Sequence, residues 1–235
     1  MRALACARHD VRLQLRYGFY TAYAVVTVIY VALLRLLPEA ARELLCPVVL
    51  FTDPAVMGYF FVGALLMFER GDGTLEALWV TPLRVAEYMA SKALSLTVLA
   101  LLTTSVIAVA TVGFSIHWPL LITGVALTSI PFALLGIGLA ARFERLTGYL
   151  VIAGLAQTPF YFPLLDHFGL VRSWVLYLIP SQASLLLIGG GLGTRTLATW
   201  EILYAISMLL VCTLLAYLWA FRIFNNHVVG RGAAT

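Results

Sequence analysis

The chain has 235 residues, of which 62% are hydrophobic and only 11% charged, against roughly 45–50% apolar in an average soluble protein. At a mean hydropathy of +0.97 a water-soluble fold could not cover its surface, so the chain is read as an all-α integral membrane protein with several spans. Fourteen arginines and one lysine outnumber eleven acids, but they do not cluster on a soluble face, which excludes a nucleic-acid partner and assigns the excess to membrane topology.

Residues 1–16 precede the first long apolar run. Arg8, Arg12 and Arg16 recur every four residues, one stripe of a helix, with Leu4, Val11 and Leu15 on an adjoining stripe. That spacing predicts a short cationic amphipathic helix on the inner leaflet, serving either as a plain anchor or as a mechanical element. No apolar stretch with a small-residue cleavage site comes first, so a cleaved leader is not expected. Apolar runs of about 17–25 residues then place six spans near residues 17–37, 47–68, 93–113, 119–141, 146–165 and 200–221. Within 170–193 two arms, Leu170–Ile179 and Ser181–Ile188, are separated by Pro180 and end in glycines. Each arm is too short to cross, which reads as a re-entrant or interfacial hairpin on the outer side. A second reading makes it a short seventh span and puts the C-terminus on the opposite side. With six spans and a cytoplasmic N-terminus, eleven basic residues lie inside and four outside, while the acids divide six to five. The positive-inside rule expects that pattern, and it leaves both termini cytoplasmic. Cys6, Cys46 and Cys212 are scattered and imply no disulfide framework or metal site.

Seven of the 26 charged residues fall in Phe68–Lys92, between the second and third spans, where a bilayer connection needs only a few residues. "GDG" ends the second span and Thr74 can cap a short helix. Leu75, Leu78 and Trp79 share one face of that helix, with Glu76 turned away. Thr81-Pro82 then opens a second helix, which carries Arg84 and Glu87 outward and runs through Lys92 into the third span. The segment is a cytoplasmic helical elbow. Its small apolar face either receives a partner or rests on the lipid interface, where Trp is common.

The stretch "ERGDGTLEALWVTPLRVAEYMASK" resembles the segment after the second span of type-2 ATP-binding-cassette (ABC) exporter permeases. Its Glu69, Gly73, Thr74, Leu75, Glu76, Leu78, Thr81, Pro82, Leu83, Arg84, Glu87, Tyr88 and Lys92 fall in that family's order. "YLIPSQASLLLIGG" and "YFFVGALLMFER" resemble the permeases of the mycobacterial fluoroquinolone-export system. The resemblance implies a bacterial cell-membrane subunit that exports a cargo, with the elbow as a coupling helix seated in a cytoplasmic ABC ATPase. Glu69, Thr74, Leu75, Glu76, Leu78, Trp79, Pro82, Arg84 and Glu87 would carry that coupling. A second copy of the chain, or a related permease, would complete the path. ATP and magnesium would belong to the ATPase. A phosphate-binding loop needs Gly-x-x-x-x-Gly-Lys-Ser/Thr, and the only lysine, Lys92, lies between Ser91 and Ala93. No cofactor is therefore expected in this chain, and no enzymatic activity.

The same resemblance lines the path with the second and fifth spans. Phe51, Asp53, Tyr59, Phe60, Gln157, Phe160, Tyr161 and Phe162 are the candidates, and their aromatic faces suit an apolar or amphipathic small molecule, drug or lipid-like. Packing or lipid contact is the plainer role for each ring taken singly. Asp53 is the one acid expected within a span, facing water or a subunit contact. Asp166 and His167 form an acid–imidazole neighbour pair at the outer end of the fifth span, either a pH-sensitive gate or a hydrated interfacial pair. The alternative to an ABC permease is an ion-coupled transporter or a pore-forming subunit. Against the first stand the absence of an evident internal repeat and the scarcity of ionisable groups within spans. The dispersed His9, His117, His167 and His227 and the lack of catalytic motifs argue against a membrane enzyme.

Overall fold

The computed structural model describes residues 10–73 and 84–226, and among them every regular element is a helix. Six helices are long and apolar enough to cross a membrane: α1 (Phe19–Leu36), α2 (Glu39–Gly71), α3 (Val85–Val112), α4 (Trp118–Ala140), α5 (Leu146–His167) and α7 (Thr199–Phe224). A shorter helix, α6 (Pro180–Gly191), precedes α7.

Two helices outrun their apolar windows. α2 has 33 residues, about 50 Å at the α-helical rise, well beyond the roughly 30 Å of hydrocarbon. It begins at Glu39 because "EAARELLC" contains good helix formers and no breaker, whereas hydropathy counts only lipid-compatible residues. α3 likewise begins at Val85, eight residues before the apolar run at 93. The Thr81-Pro82 start expected of the sequence lies outside the described residues; where α3 is entered, Arg84 is extended and its backbone N–H donates to the Glu87 carboxylate at 3.0 Å, satisfying one of the free donors of the first turn.

α4 is the hub, packed against α2, α3, α6 and α7. Glycine permits the closest approach: a Cβ on Gly136 would stand 2.5 Å from the Tyr59 carbonyl oxygen of α2. Gly63 of α2 receives the ring of Tyr149 from α5, whose hydroxyl donates to the Tyr59 carbonyl at 2.5 Å. Small residues at such contacts are how membrane helices pack without a hydrophobic driving force between them. α1 and α7 instead bury only a small share of their apolar windows and leave Val28, Leu36, Leu210 and Leu214 among others exposed, as lipid contact requires.

Of the two arms around Pro180, only the second is an α-helix; the first holds a 3-10 turn, Trp174–Leu178. Ser181–Gly191 is buried throughout, packed on α4, α7 and α2, and Thr128 of α4 and Ser184 are hydrogen-bonded at 2.7 Å. Trp174 in the 3-10 turn is 76% exposed.

Candidate functional site

The bundle has two ends: an elbow end, where α2 finishes and α3 starts, and a hairpin end carrying α6. At the elbow end α2 stops at Gly71, and Gly73 follows with φ +69°, a left-handed conformation that glycine adopts without strain. Thr74, Leu75, Glu76, Leu78, Trp79 and Pro82 lie outside the described residues, so the elbow is seen from its two roots. Glu69 stands on the first. Arg84, exposed, and Glu87, which caps α3, stand on the second.

Those roots meet at a buried ion cluster. Lys92 has no exposed side-chain surface, and its ammonium donates to Glu69 Oε1 at 2.5 Å and to Asp10 Oδ1 at 2.9 Å. The second oxygen of each carboxylate is held too: Tyr88 donates to Glu69 Oε2 at 2.5 Å, and Ser91 donates to Asp10 Oδ2. The ammonium also lies 4.7 Å from the centre of the Tyr88 ring. A turn further along, Gln14 Nε2 donates to Ser95 at 2.8 Å. Residues 10–16 are helical, so Asp10 and Gln14, four apart, share the face presented to Ser91, Lys92 and Ser95 of α3.

The docked face of this N-terminal helix is thus not the stripe that hydrophobicity selects. Asp10, Leu13 and Gln14 are buried, whereas Leu15, Arg12 and Arg16 are exposed. An acid and an amide with matched partners on α3 decide the rotation, and Leu13 joins Phe19 and Leu65 beneath them. Further bonds tie the same end together. Tyr17 donates to Asp72 and stacks on Phe68, and that carboxylate, accepting the bond, pushes the Tyr17 phenol above its ordinary range. Arg70 donates to the Phe143 carbonyl in the α4–α5 turn at 2.5 Å. Arg142 lies over the Trp219 ring at 5.5 Å.

The candidate path residues divide. Phe51 is fully buried and, like Phe160, packs edge-on against Phe132 of α4. Tyr59 is buried beside Phe60. Phe60, Phe160 and Tyr161 are half-buried and Phe162 is 49% exposed. Phe51, Tyr59 and Phe160 therefore pack within this subunit, while Phe162 presents the most open ring of the set. Gln157 and Asp53 are joined to one irregularity. Residues 53–57 of α2 form a π-helical turn around Pro54, which lacks the N–H that would continue the ladder. Gln157 of α5 donates to the Ala55 carbonyl in that turn at 3.1 Å, and α5 tightens into a 3-10 turn, Thr158–Tyr161, directly afterwards. Asp53 is buried against α3, where Thr103 donates to its Oδ2 at 2.5 Å. The structure thus seats Asp53 on a neighbouring helix of the same subunit, where the sequence placed it toward water or another subunit.

Asp166 and His167 point apart. Gln182 of α6 donates to Asp166 at 2.7 Å, and the His167 ring nitrogen meets the Leu44 carbonyl of α2 at 2.8 Å. Both line an open cleft of about 380 Å³ at the hairpin end with Glu43 and Arg195.

Asp10, Gln14, Ser91 and Thr103 stood out in no motif, and Tyr88 stood out only as part of the resemblance after the second span. One signal was available: in so apolar a chain, a single lysine flanked by Tyr88, Ser91 and Ser95 on the same helical side needs an acid nearby if it is buried.

A family model described as fluoroquinolones export permease protein matches residues 1–232. Among curated relatives are the fluoroquinolones export permease proteins of Mycobacterium tuberculosis strains CDC 1551 / Oshkosh and ATCC 25618 / H37Rv. Each is 32% identical over 231 residues, which cover 98% of this chain and 98% of the relative.

Proposed function

Since the chain belongs to the fluoroquinolones export permease family, we propose that it is the membrane subunit of an ATP-driven exporter for an apolar or amphipathic small molecule. Planar aromatic drugs of the kind named for its relatives fit that class. The elbow and both termini face the cytoplasm, in accord with the excess of arginine at the elbow end. The energy comes from separate ATPase subunits that bind ATP and magnesium and take the elbow into a groove. Two permease subunits, identical or related, complete the path, with α2 and α5 facing one another across it.

The observation that carries this reading is the build of the elbow end. α3 begins eight residues before its apolar run, and its first turns are bonded to the end of α2 and to the N-terminal helix. A loop that merely reconnects two spans needs neither. The residues do not fit a nucleotide: the one lysine is enclosed by Asp10 and Glu69, so no step of ATP chemistry falls on this chain. ATP drives the cycle only in so far as it binds one conformation of the assembly better than the other, and the elbow passes that preference to the spans. A second reading, ion-coupled transport, is favoured by one observation, the buried Asp53 with Oδ1 unpartnered among the described residues.

Affinity isolation of the tagged chain from its native membranes separates the two. With the native sequence an ATPase bearing a Gly-Lys-Ser/Thr phosphate loop is expected to accompany it, and Leu75→Asp with Leu78→Asp is expected to release it. If folded native protein brings no ATPase, the ABC reading fails and attention moves to Asp53.

A further inference from the structure

We propose that Lys92 is the positioning residue of coupling: it clasps the N-terminal helix and both roots of the elbow into one body, so that a push on the elbow moves α1, α2 and α3 together. The proposal rests on the export reading for its purpose, but its geometry stands on distances alone.

The elbow leaves α2 two residues after Glu69 and re-enters α3 seven residues before Lys92. Without a cross-tie, force on the elbow could slide or splay the two roots separately. The tie present is bidirectional. Glu69 is gripped at one oxygen by Lys92 and at the other by Tyr88, one turn apart on α3. Asp10 is gripped at one oxygen by Lys92 and at the other by Ser91. Two bonds to each carboxylate fix its orientation as well as its distance, and charge-assisted bonds in a buried setting are the strong ones. Gln14 to Ser95 adds a second tie on the N-terminal helix, so that helix cannot pivot about Asp10. It connects to α1 through only the turn at Tyr17 and Gly18.

A buried ion pair is weak evidence of stabilisation, since desolvating the charges offsets most of their attraction. Here the cluster takes two carboxylates and one ammonium from three segments of chain. That arrangement contributes fixed relative placement, which a hydrophobic contact supplies less sharply.

The charge count provides a gentle way to cut one tie. Asp10→Asn leaves Lys92 matched one-to-one with Glu69 and weakens only the charged tie to the N-terminal helix, the Gln14–Ser95 bond remaining. The test uses the full permease reconstituted in vesicles with its co-isolated ATPase and a fluoroquinolone as cargo, measuring cargo moved per ATP hydrolysed. That ratio does not depend on how much protein folds. Asp10→Asn is expected to keep the ATPase bound and hydrolysing while the ratio falls by about fivefold or more, the lower range of coupling between sites. Ser91→Ala, which removes one grip on Asp10, is expected to lower it less, in the same direction. Thr128→Val, which cuts a buried bond between α4 and α6, is the control and should leave the ratio unchanged.

An unchanged ratio in both Asp10→Asn and Ser91→Ala overturns the clasp while leaving the export reading intact, and so does an equal fall in the control. If the native vesicles bind no ATPase and move no drug, the export reading fails and the coupling role fails with it. Hydrogen exchange then reads the remaining claim: residues 10–16 should exchange faster in Asp10→Asn, and equal exchange would remove the tie itself.

Discussion

α2 carries two buried acids, Asp53 and Glu69, about four and a half helical turns apart, and they are treated in opposite ways. Glu69 stands in regular helix near the elbow, with one oxygen on an ammonium and the other on a phenol. Asp53 opens a π turn, with one oxygen on the Thr103 hydroxyl and the other without a partner among the described residues. The same carboxylate chemistry thus builds a matched, oriented junction at one place and a sparsely satisfied irregularity at the other. A helix that transmits displacement needs a stiff end and a level at which its axis can change, and one-turn π insertions are a recognised way to loosen the ladder. Across that level Gln157 joins the π turn of α2 to the 3-10 break of α5, so the two irregular turns abut.

The widest expected gap between the two regions comes from removing the cation. Lys92→Met leaves Asp10 and Glu69 buried without their counter-charge, and breaking a buried pair in this way costs about 3–5 kcal/mol. The folded fraction recovered from membranes, or the midpoint of thermal unfolding in detergent, should fall sharply. A native-like midpoint would show the cluster to be hydrated and the comparison misplaced.

Next in size is a change at the packing that holds the two regions on one helix. Gly136→Val pushes a side chain into the Tyr59 carbonyl, 2.5 Å from where the first carbon must go. Overpacking of this kind costs about 1–3 kcal/mol, read as a lower unfolding midpoint, and the adjacent Tyr149–Tyr59 bond should be lost with it.

The smallest effect sharpens the comparison most, because it sets the two acids against each other. Asp53→Asn keeps an acceptor for Thr103 and removes an uncompensated charge, so stability should hold or rise slightly. Glu69→Gln weakens a matched junction and should lower it. If both amides destabilise equally, Asp53 has a charged partner and the contrast dissolves. If Asp53→Asn leaves stability alone yet stops transport, the acid acts in the cycle itself.

Much of the architecture was legible before any coordinates. Apolar runs located the six spans, because only helices satisfy their own backbone within a bilayer, and "GDG" marked where α2 ends. The start of α2 at Glu39 was not legible, since a hydropathy window stops where lipid compatibility stops while the hydrogen-bond ladder continues. Six of the nine coupling residues lie beyond the described part, so the elbow's apolar face remains a sequence inference. Among the path residues, Phe51 and Phe162 are alike in the sequence, and only the packing of Phe132 against Phe51 tells a core ring from an exposed one.

Composition and periodicity by themselves settled that this chain is a helical membrane protein and located the six helices long and apolar enough to cross. Those properties are sums over neighbouring residues, which a linear pattern records. Tertiary structure alone decided that Lys92 lies between Asp10 and Glu69, partners 82 and 23 positions away. It also decided that the N-terminal helix docks by its polar edge. A buried charge is stable only where a specific opposite charge arrives in three dimensions, and no local pattern specifies which acid that will be.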